Sequence, residues 1–331
     1  MIITNKYNLP EPYLKACQSN YQYKDKRYSV TSILCSPRET ILKRRHHDEI
    51  IQDCSDMHWL IFGTAVHKVL EDYDGGITTM AERGLEYHTS NGYTLSGRLD
   101  LYDIEKQKVS DWKTASVWKW VSKDFDDYKH QLKQYAVMLN INGLPCHSGE
   151  IVFMFKDYSE MKKMQDLDGS YPERPTISKG FEFTQEELQE EVDFIENYFS
   201  DIELLEKVRD DELPLCSYKD RTFNGVDTYA IMKKGNKRAV KLCHSAEEAE
   251  KELALKDDKH YIEFRKAEDK KCKQYCQSAP FCNYYKDNYA EYFVKDKDEN
   301  VVASFSDYDK AREFIKYITS YGELHIERVE E

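Results

Sequence analysis

The sequence predicts an α/β protein in which a mixed sheet is flanked by helices and followed by smaller ββαβ additions. Three observations carry this expectation. Tyr93–Asp103 and Gln107–Thr114 are rich in β-branched and aromatic residues and flank the turn Ile104-Glu105-Lys106, a hairpin signal. Phe62, Val66, Val69 and Leu70 recur at helical spacing before it, and a second helix is expected from about Asp124 to Leu139 after it. Gly149 to Phe155 reads as a buried central strand. Helix, hairpin, helix, strand is a layered α/β order.

The remaining elements follow along the chain. Residues 1–27 are polar without a clear period and are read as an arm that folds onto the body; Glu39 to Ile51 is expected to be helical. Residues 157–180 contain Pro172 and Pro175 and are read as a long loop. Thr184-Gln185-Glu186-Glu187 is a capping box, and Leu188, Val192, Ile195, Phe199 and Ile202 form the buried stripe of the helix it opens. In the last third a ββαβ order occurs twice. It runs first from Tyr229 to Phe264, through a Gly235-Asn236 turn and a Ser245-capped helix, and again from Tyr292 to Glu327 with a Ser306-capped helix. The expected organisation is an arm (1–27), a core (28–215), a ββαβ module with a cysteine cluster (216–288) and a terminal ββαβ module (289–331).

Composition narrows the function classes. At 331 residues, 33 % of them charged, the chain can bury a substantial core. No apolar run approaches the roughly 18–20 residues of a membrane span, and the start Met-Ile-Ile-Thr-Asn-Lys lacks a signal-peptide pattern, so a cytoplasmic protein without membrane partners is expected. The net charge of −13 argues against a protein that coats nucleic acid nonspecifically. Two local basic strips remain candidates for backbone contacts: Lys43 to His47, and Lys119, Lys123, Lys129 and Lys133.

The chemistry concentrates in Ser96-Gly97-Arg98-Leu99-Asp100, followed eleven residues after Asp100 by Asp111-Trp112-Lys113. Alternate strand residues share a face, so Asp111 and Lys113 project together, and the hairpin brings Asp100 alongside. Two carboxylates and an ammonium at one spot are costly unless a cation sits between the acids, as in a divalent-metal phosphodiesterase. Gly63, His67 and Glu71 lie four apart on one helix face, with glycine allowing close approach, and Gln131 and Tyr135 share a face of the later helix.

His67, Asp100, Asp111-x-Lys113 and Gln131-x3-Tyr135, in this order, resemble the RecB-like branch of the PD-(D/E)XK nuclease superfamily. Tyr28 to Ser32, Ser36-Pro37-Arg38, Asp53 to Trp59, Leu213 to Cys216, Tyr229 to Gly235, Cys272 to Cys276 and Ala279 to Cys282 look like its phage-encoded members, so the resemblance spans about residues 28 to 285. It implies a restriction-endonuclease-like core and a metal-dependent DNA exonuclease of phage recombination, replication or end processing, with a single-strand annealing protein or another phage replication protein as the expected partner. The alternatives are a structure-specific or single-strand endonuclease and a catalytically silent DNA-binding or scaffold module. One or two Mg²⁺ or Mn²⁺ ions are expected on Asp100, Asp111, the Trp112 carbonyl and His67, with Glu71 reaching an ion through water. Lys113 is expected to orient the attacking water or neutralise developing charge, and Gln131 and Tyr135 to position Lys113 or the DNA backbone.

Cys272, Cys276 and Cys282 put three thiols within eleven residues, bordered by Lys270, Lys271 and Lys273. Positive neighbours favour thiolates, which ligate soft metals. A fourth ligand must come from a distance, from Cys216 or, as the alternative, Cys35. Several RecB-like nucleases resemble this arrangement and hold a 4Fe–4S cluster with it. The Cys-x3-Cys spacing departs from their usual Cys-x2-Cys, and four-thiolate zinc is the second choice.

Overall fold

The structure is a computed structural model that describes residues 1–18, 22–71 and 78–329. The chain divides into two compact units, Met1–Val208 and Arg209–Glu331.

The first unit is built on a five-stranded mixed sheet. Its strands run in the order Thr176–Glu182, Ser148–Phe155, Lys108–Ala115, Leu101–Asp103, Thr79–Ala81. Lys108–Ala115 and Ser148–Phe155 are parallel, and every other pairing in this sheet is antiparallel. A parallel pair needs a long crossover. Here the helices Val117–Val121 and Asp126–Ile141 supply it. Ser148–Phe155 alternates strictly between half-buried and buried residues, with Gly149, Ile151, Phe153 and Phe155 inward. Leu132 of the crossover helix packs against Gly149, where a Cβ would meet its Cδ1 at 3.1 Å. The fold is therefore α/β, in the helix, hairpin, helix, strand order expected.

The Tyr93–Asp103 stretch is not one strand. Thr94–Arg98 is the centre of a separate three-stranded sheet, antiparallel to Gly84–His88 and parallel to Arg27–Ser29. After Leu99 and Asp100 the chain enters the five-stranded sheet as Leu101–Asp103. Three further expectations are corrected. The helix expected to reach Ile51 ends at Arg45, and Ile51–Asp53 instead pairs in parallel with Ile2–Thr4. The expected loop 157–180 holds a short helix, Glu160–Met164, and its last residues begin the edge strand Thr176–Glu182. Backbone pairing to Ser148–Phe155 overrides the polar, proline-flanked composition there. The N-terminal residues fold onto the body through that Ile2–Thr4 strand and the helix Glu11–Cys17, whose Cys17 packs with Cys54 and Met57.

Gln185–Leu205 is the long helix, opened by the Thr184/Glu187 capping box. Its buried stripe includes Leu188, Ile195, Phe199 and Ile202, together with one charge, Glu191. Glu191 takes hydrogen bonds from His130 at 2.8 Å and Gln134 at 3.0 Å, and Lys133 at 3.0 Å pairs with it. Burial works against its ionisation, but these partners hold its carboxyl below the ordinary glutamate range.

In the second unit both ββαβ modules form. Thr228–Lys233, Lys241–Cys243, Ala246–Leu253 and His260–Arg265 make the first, and Tyr292–Asp296, Val301–Phe305, Tyr308–Tyr317 and Leu324–Arg328 the second. In each, the first strand is central and antiparallel to both neighbours. Ser245 caps its helix as expected, whereas Asp307, not Ser306, caps the second. Ser306 is held instead by the Tyr285 hydroxyl, at 2.9 Å from its Oγ. Among the described residues, no helix is long and apolar enough to cross a membrane.

Removing one partner of a buried pair leaves the other charge stranded. Glu191→Ala is therefore expected to lower unfolding stability by roughly 3 kcal/mol, measured by urea denaturation at pH 7. Because the folded pKa is depressed, this contribution is present above the ordinary glutamate value and lost as pH falls below it. The gap between wild type and variant should therefore close in acid.

Candidate active site

The break between the two sheets places Asp100 at the strand switch. Its Oδ2 accepts the Trp112 backbone N–H at 2.7 Å, across the hairpin. Leu101–Asp103 pairs with Lys108–Ser110 and no further, so the Asp100 carboxylate takes the place of the next strand residue. Within an extended strand the N–H and C=O of one residue point to the same edge, so the Trp112 carbonyl opens on the Asp100 side.

Asp111 and Lys113 project from the same face of Lys108–Ala115, and their side chains form an ion pair. Asp111 is 2 % exposed and Asp100 7 %. The Gln131 amide donates to Asp111 Oδ1 at 3.2 Å, leaving Oδ2 beside the Lys113 ammonium without a well-directed hydrogen bond. Burial drives the Asp111 carboxyl above the ordinary aspartate range; Lys113 pulls against this, and Asp100 adds to it. A carboxylate buried this deeply, with one oxygen free of directed hydrogen bonds, suits a cation ligand.

His67 comes from the helix His58–Glu71, and its Nδ1 lies 3.2 Å from Asp100 Oδ1. That contact raises the proton affinity of the ring. The helix has no fully buried residue, and Val69 is 77 % exposed, so its apolar spacing marks a helix but not a core face. Gly63 is not needed for close approach, because a Cβ there would meet Thr114 Oγ1 at an ordinary 3.5 Å. Glu71 is paired with Lys68 and lines the cavity of about 530 Å³ that also contains Trp59, Gly63, His67 and Asp100.

Gln131 and Tyr135 lie on the crossover helix, one turn apart. The Tyr135 hydroxyl donates to the Arg98 carbonyl at 2.9 Å and lies 3.4 Å from the Gln131 amide nitrogen. Both residues therefore brace the site from behind: Gln131 holds Asp111, and Tyr135 holds the strand end that leads to Asp100. Gly97 makes this possible, since a Cβ there would lie 2.6 Å from Tyr135 Cε1 and 2.7 Å from Val30 Cγ2.

One acid at this site escaped the sequence reading. Glu82 joins the Thr79–Ala81 strand to the Gly84–His88 strand in a left-handed conformation, φ 48°. Its carboxylate shares the cavity, and its ligand atom lies within 4.8 Å of those of His67 and Asp100. Nothing periodic marks it; only the pairing of Ala81 with Leu101 brings it beside Asp100. Two buried carboxylates, a third acid, an imidazole and a strand carbonyl form a hard donor set with one softer member, which fits Mg²⁺ or Mn²⁺.

The two basic strips are largely committed to the fold. Arg44 bonds the Arg27 and Lys24 carbonyls and stacks 3.9 Å from the Tyr28 ring centre, and Arg45 bonds the Glu206 carbonyl. Lys129 pairs with Glu187 and Lys133 with Glu191, and Lys119 lies 4.9 Å from the Tyr128 ring centre.

In the second unit, Cys272 sits on the short helix Lys270–Gln274, Cys276 follows it, and Cys282 precedes the helix Asn283–Tyr289. Burial, and then the neighbouring Cys276, Asp269, Cys216 and Cys282, push the Cys272 thiol up to about 12. Of the two distant cysteines, Cys216 is the one near enough to oppose ionisation of Cys272. Cys35 lies in the first unit, where its carbonyl accepts from the Tyr198 hydroxyl at 3.2 Å. Asp269 beside the thiols is fixed by Arg221 at 2.8 Å and by the hydroxyls of Tyr284 and Tyr289 at 2.5 and 2.7 Å. Cysteine sulfurs are soft donors, the kind a soft metal takes.

No family model and no curated protein matches the chain. Among solved structures, the protein SSO0001 aligns with a TM-score of 0.39 at 18% identity, over 55% of this chain and 78% of its own. A phage-related exonuclease from Haemophilus somnus 129PT aligns with a TM-score of 0.27 at 12% identity, over 44% of this chain and 72% of its own. Likeness at this level leaves function to be argued from the site itself.

Gly97→Ala should drive a methyl group into Tyr135 and Val30. An overpacking loss of roughly 1–3 kcal/mol is expected in chemical denaturation. Gly97→Ala combined with Tyr135→Ala should lose less than the sum of the two single changes, because the clash is then relieved.

Proposed function

We propose that the protein is a divalent-metal-dependent deoxyribonuclease that hydrolyses phosphodiester bonds from DNA ends. The observation that carries this reading is the convergence of Asp100, Asp111, Lys113 and His67 at the strand switch, braced by Gln131 and Tyr135. Asp100, Asp111, the Trp112 carbonyl and His67 would hold Mg²⁺ or Mn²⁺, with Glu71 at the cavity wall. Such an ion, when bound, polarises the scissile phosphate, lowers the pKa of the attacking water and offsets charge on the leaving oxygen.

The chain's own residues do the rest. Lys113 shares a strand face with Asp111, so its ammonium can orient the water and offset charge that builds on the phosphoryl oxygens. Gln131 fixes the Asp111 carboxylate so that one oxygen stays turned toward Lys113. The Trp112 N–H fixes Asp100 in the same way. Half-exposed His67 stands at the cavity, between solvent and the buried acids.

The motifs that resemble phage-encoded RecB-like nucleases support a role in DNA-end processing for recombination or replication, with a single-strand annealing protein as the partner class. Cys216, Cys272, Cys276 and Cys282 are assigned to a structural 4Fe–4S cluster, with zinc the second choice. Each would clasp segments of the second unit that lie far apart in sequence.

The nuclease reading is tested on linear duplex, linear single-strand and closed circular DNA, with Mg²⁺, Mn²⁺ or EDTA. Linear DNA should be degraded only with metal, and Lys113→Ala and Asp111→Ala should each lose roughly 10²–10³-fold in rate. Circles cut as fast as linear DNA would refute end dependence, and full activity in either variant would refute the site. For the cysteines, anaerobically purified protein should contain iron that Cys272→Ser loses and Cys35→Ser retains. Stoichiometric zinc would select the second choice, and a folded metal-free protein would rule out both.

A further inference from the structure

We propose that Glu82 completes a second divalent-cation seat with His67 and Asp100, and that Arg98 is the counter-ion which this cation displaces toward a substrate phosphate. The phosphate clause rests on the nuclease reading; the seat does not.

The two oxygens of Asp100 face different partners. Oδ2 is turned to the Trp112 N–H, on the Asp111 side, and Oδ1 to His67. A carboxylate arranged this way can bridge two cations, as in phosphodiesterases with ions about 3.5–4 Å apart. The second side has its own donors, since one atom each of His67, Glu82 and Asp100 lies within 4.8 Å of the other two. Ligands about 2.1 Å from an ion lie up to about 4.2 Å apart, so the three need only close slightly. Next door, Asp111 is 2 % exposed, and its Oδ2, beside the Lys113 ammonium, accepts no well-directed hydrogen bond and so keeps coordinating capacity.

Glu82 is held for this position. Its backbone N–H bonds the Asp100 carbonyl at 3.1 Å, which ties the two acids together. Its carboxylate is 16 % exposed and has one strong cationic partner, Arg98 Nε at 2.8 Å. Arg98 is itself 67 % exposed and sits at the end of the strand that leads into Asp100. The exposed guanidinium is held by the Glu82 carboxylate and, at 3.1 Å, by the Glu82 carbonyl, and of these two bonds only the first competes with a cation. A cation on Glu82 would free it, at the cavity, for the bidentate contacts with phosphate that suit arginine.

The test is Mn²⁺ binding without DNA, followed by electron paramagnetic resonance and calorimetry, on wild type, Glu82→Gln, Arg98→Ala and Asp111→Asn. Wild type should bind two ions. Glu82→Gln should lose one of them or weaken it by about 10–100-fold, and Asp111→Asn should weaken the other. Arg98→Ala should bind the Glu82 ion severalfold more tightly, because its competitor is gone. A purely structural Glu82–Arg98 pair predicts no tightening. Unchanged stoichiometry and affinity in folded Glu82→Gln would overturn the seat; if that variant does not fold, unchanged or weaker binding in Arg98→Ala would do so. For the displacement, Arg98→Ala should weaken DNA binding in Ca²⁺ but not in EDTA, and equal losses in both would overturn it. Two Mn²⁺ ions in a protein that cleaves no DNA would refute the nuclease reading and leave the seat standing.

Discussion

The hydrogen bond from the Trp112 N–H to the Asp100 carboxylate is the contact on which the site depends. It stands where a ladder hydrogen bond would be, at the point where one extended run leaves a three-stranded sheet and enters a five-stranded one. Had Tyr93–Asp103 continued as a single regular strand, Asp100 would be one more residue in the pairing with Lys108–Ala115. The break instead spends its side chain on the neighbour's backbone and leaves the other carboxylate oxygen turned to His67. Strand alternation then delivers Asp111 and Lys113 to the same spot without any further device.

Around that contact the packing is arranged to keep charges where water would not. Tyr135 can reach the Arg98 carbonyl only because Gly97 has no side chain. Gln131 reaches Asp111 from the next turn of the same helix. That helix is in turn anchored on its other side by His130, Lys133 and Gln134 around buried Glu191. Two buried acidic centres thus lie on opposite sides of one crossover helix. Glu191 is fully compensated by protein groups, whereas Asp111 has an incomplete shell, and that difference separates a structural ion network from a site with room for a cation.

Local patterns were legible in the sequence, and long-range pairings were not. Asp100, Asp111 and Lys113 could be read because a hairpin has a period of two, and Gln131 and Tyr135 because a helix turn has four residues. The Thr184 capping box and both ββαβ modules were readable for the same reason. The edge strand Thr176–Glu182 was hidden because backbone pairing, not its own composition, makes it a strand. The lysines at 129 and 133 looked like a free basic strip because their partners, Glu187 and Glu191, lie 58 residues further along the chain in each case. Glu82 was missed for a similar reason: its position beside Asp100 follows from the pairing of Ala81 with Leu101, which no local signal announces.

The central claim is that the strand switch at Asp100 builds a divalent-cation centre shared with Asp111. Anomalous diffraction from crystals grown with Mn²⁺ tests it most directly, since it locates the ion without reference to any substrate. The account predicts a peak within bonding distance of both the Asp100 and Asp111 carboxylates and the Trp112 carbonyl. Manganese found elsewhere, with the two carboxylates still bonded only to Trp112, Lys113 and Gln131, would contradict it.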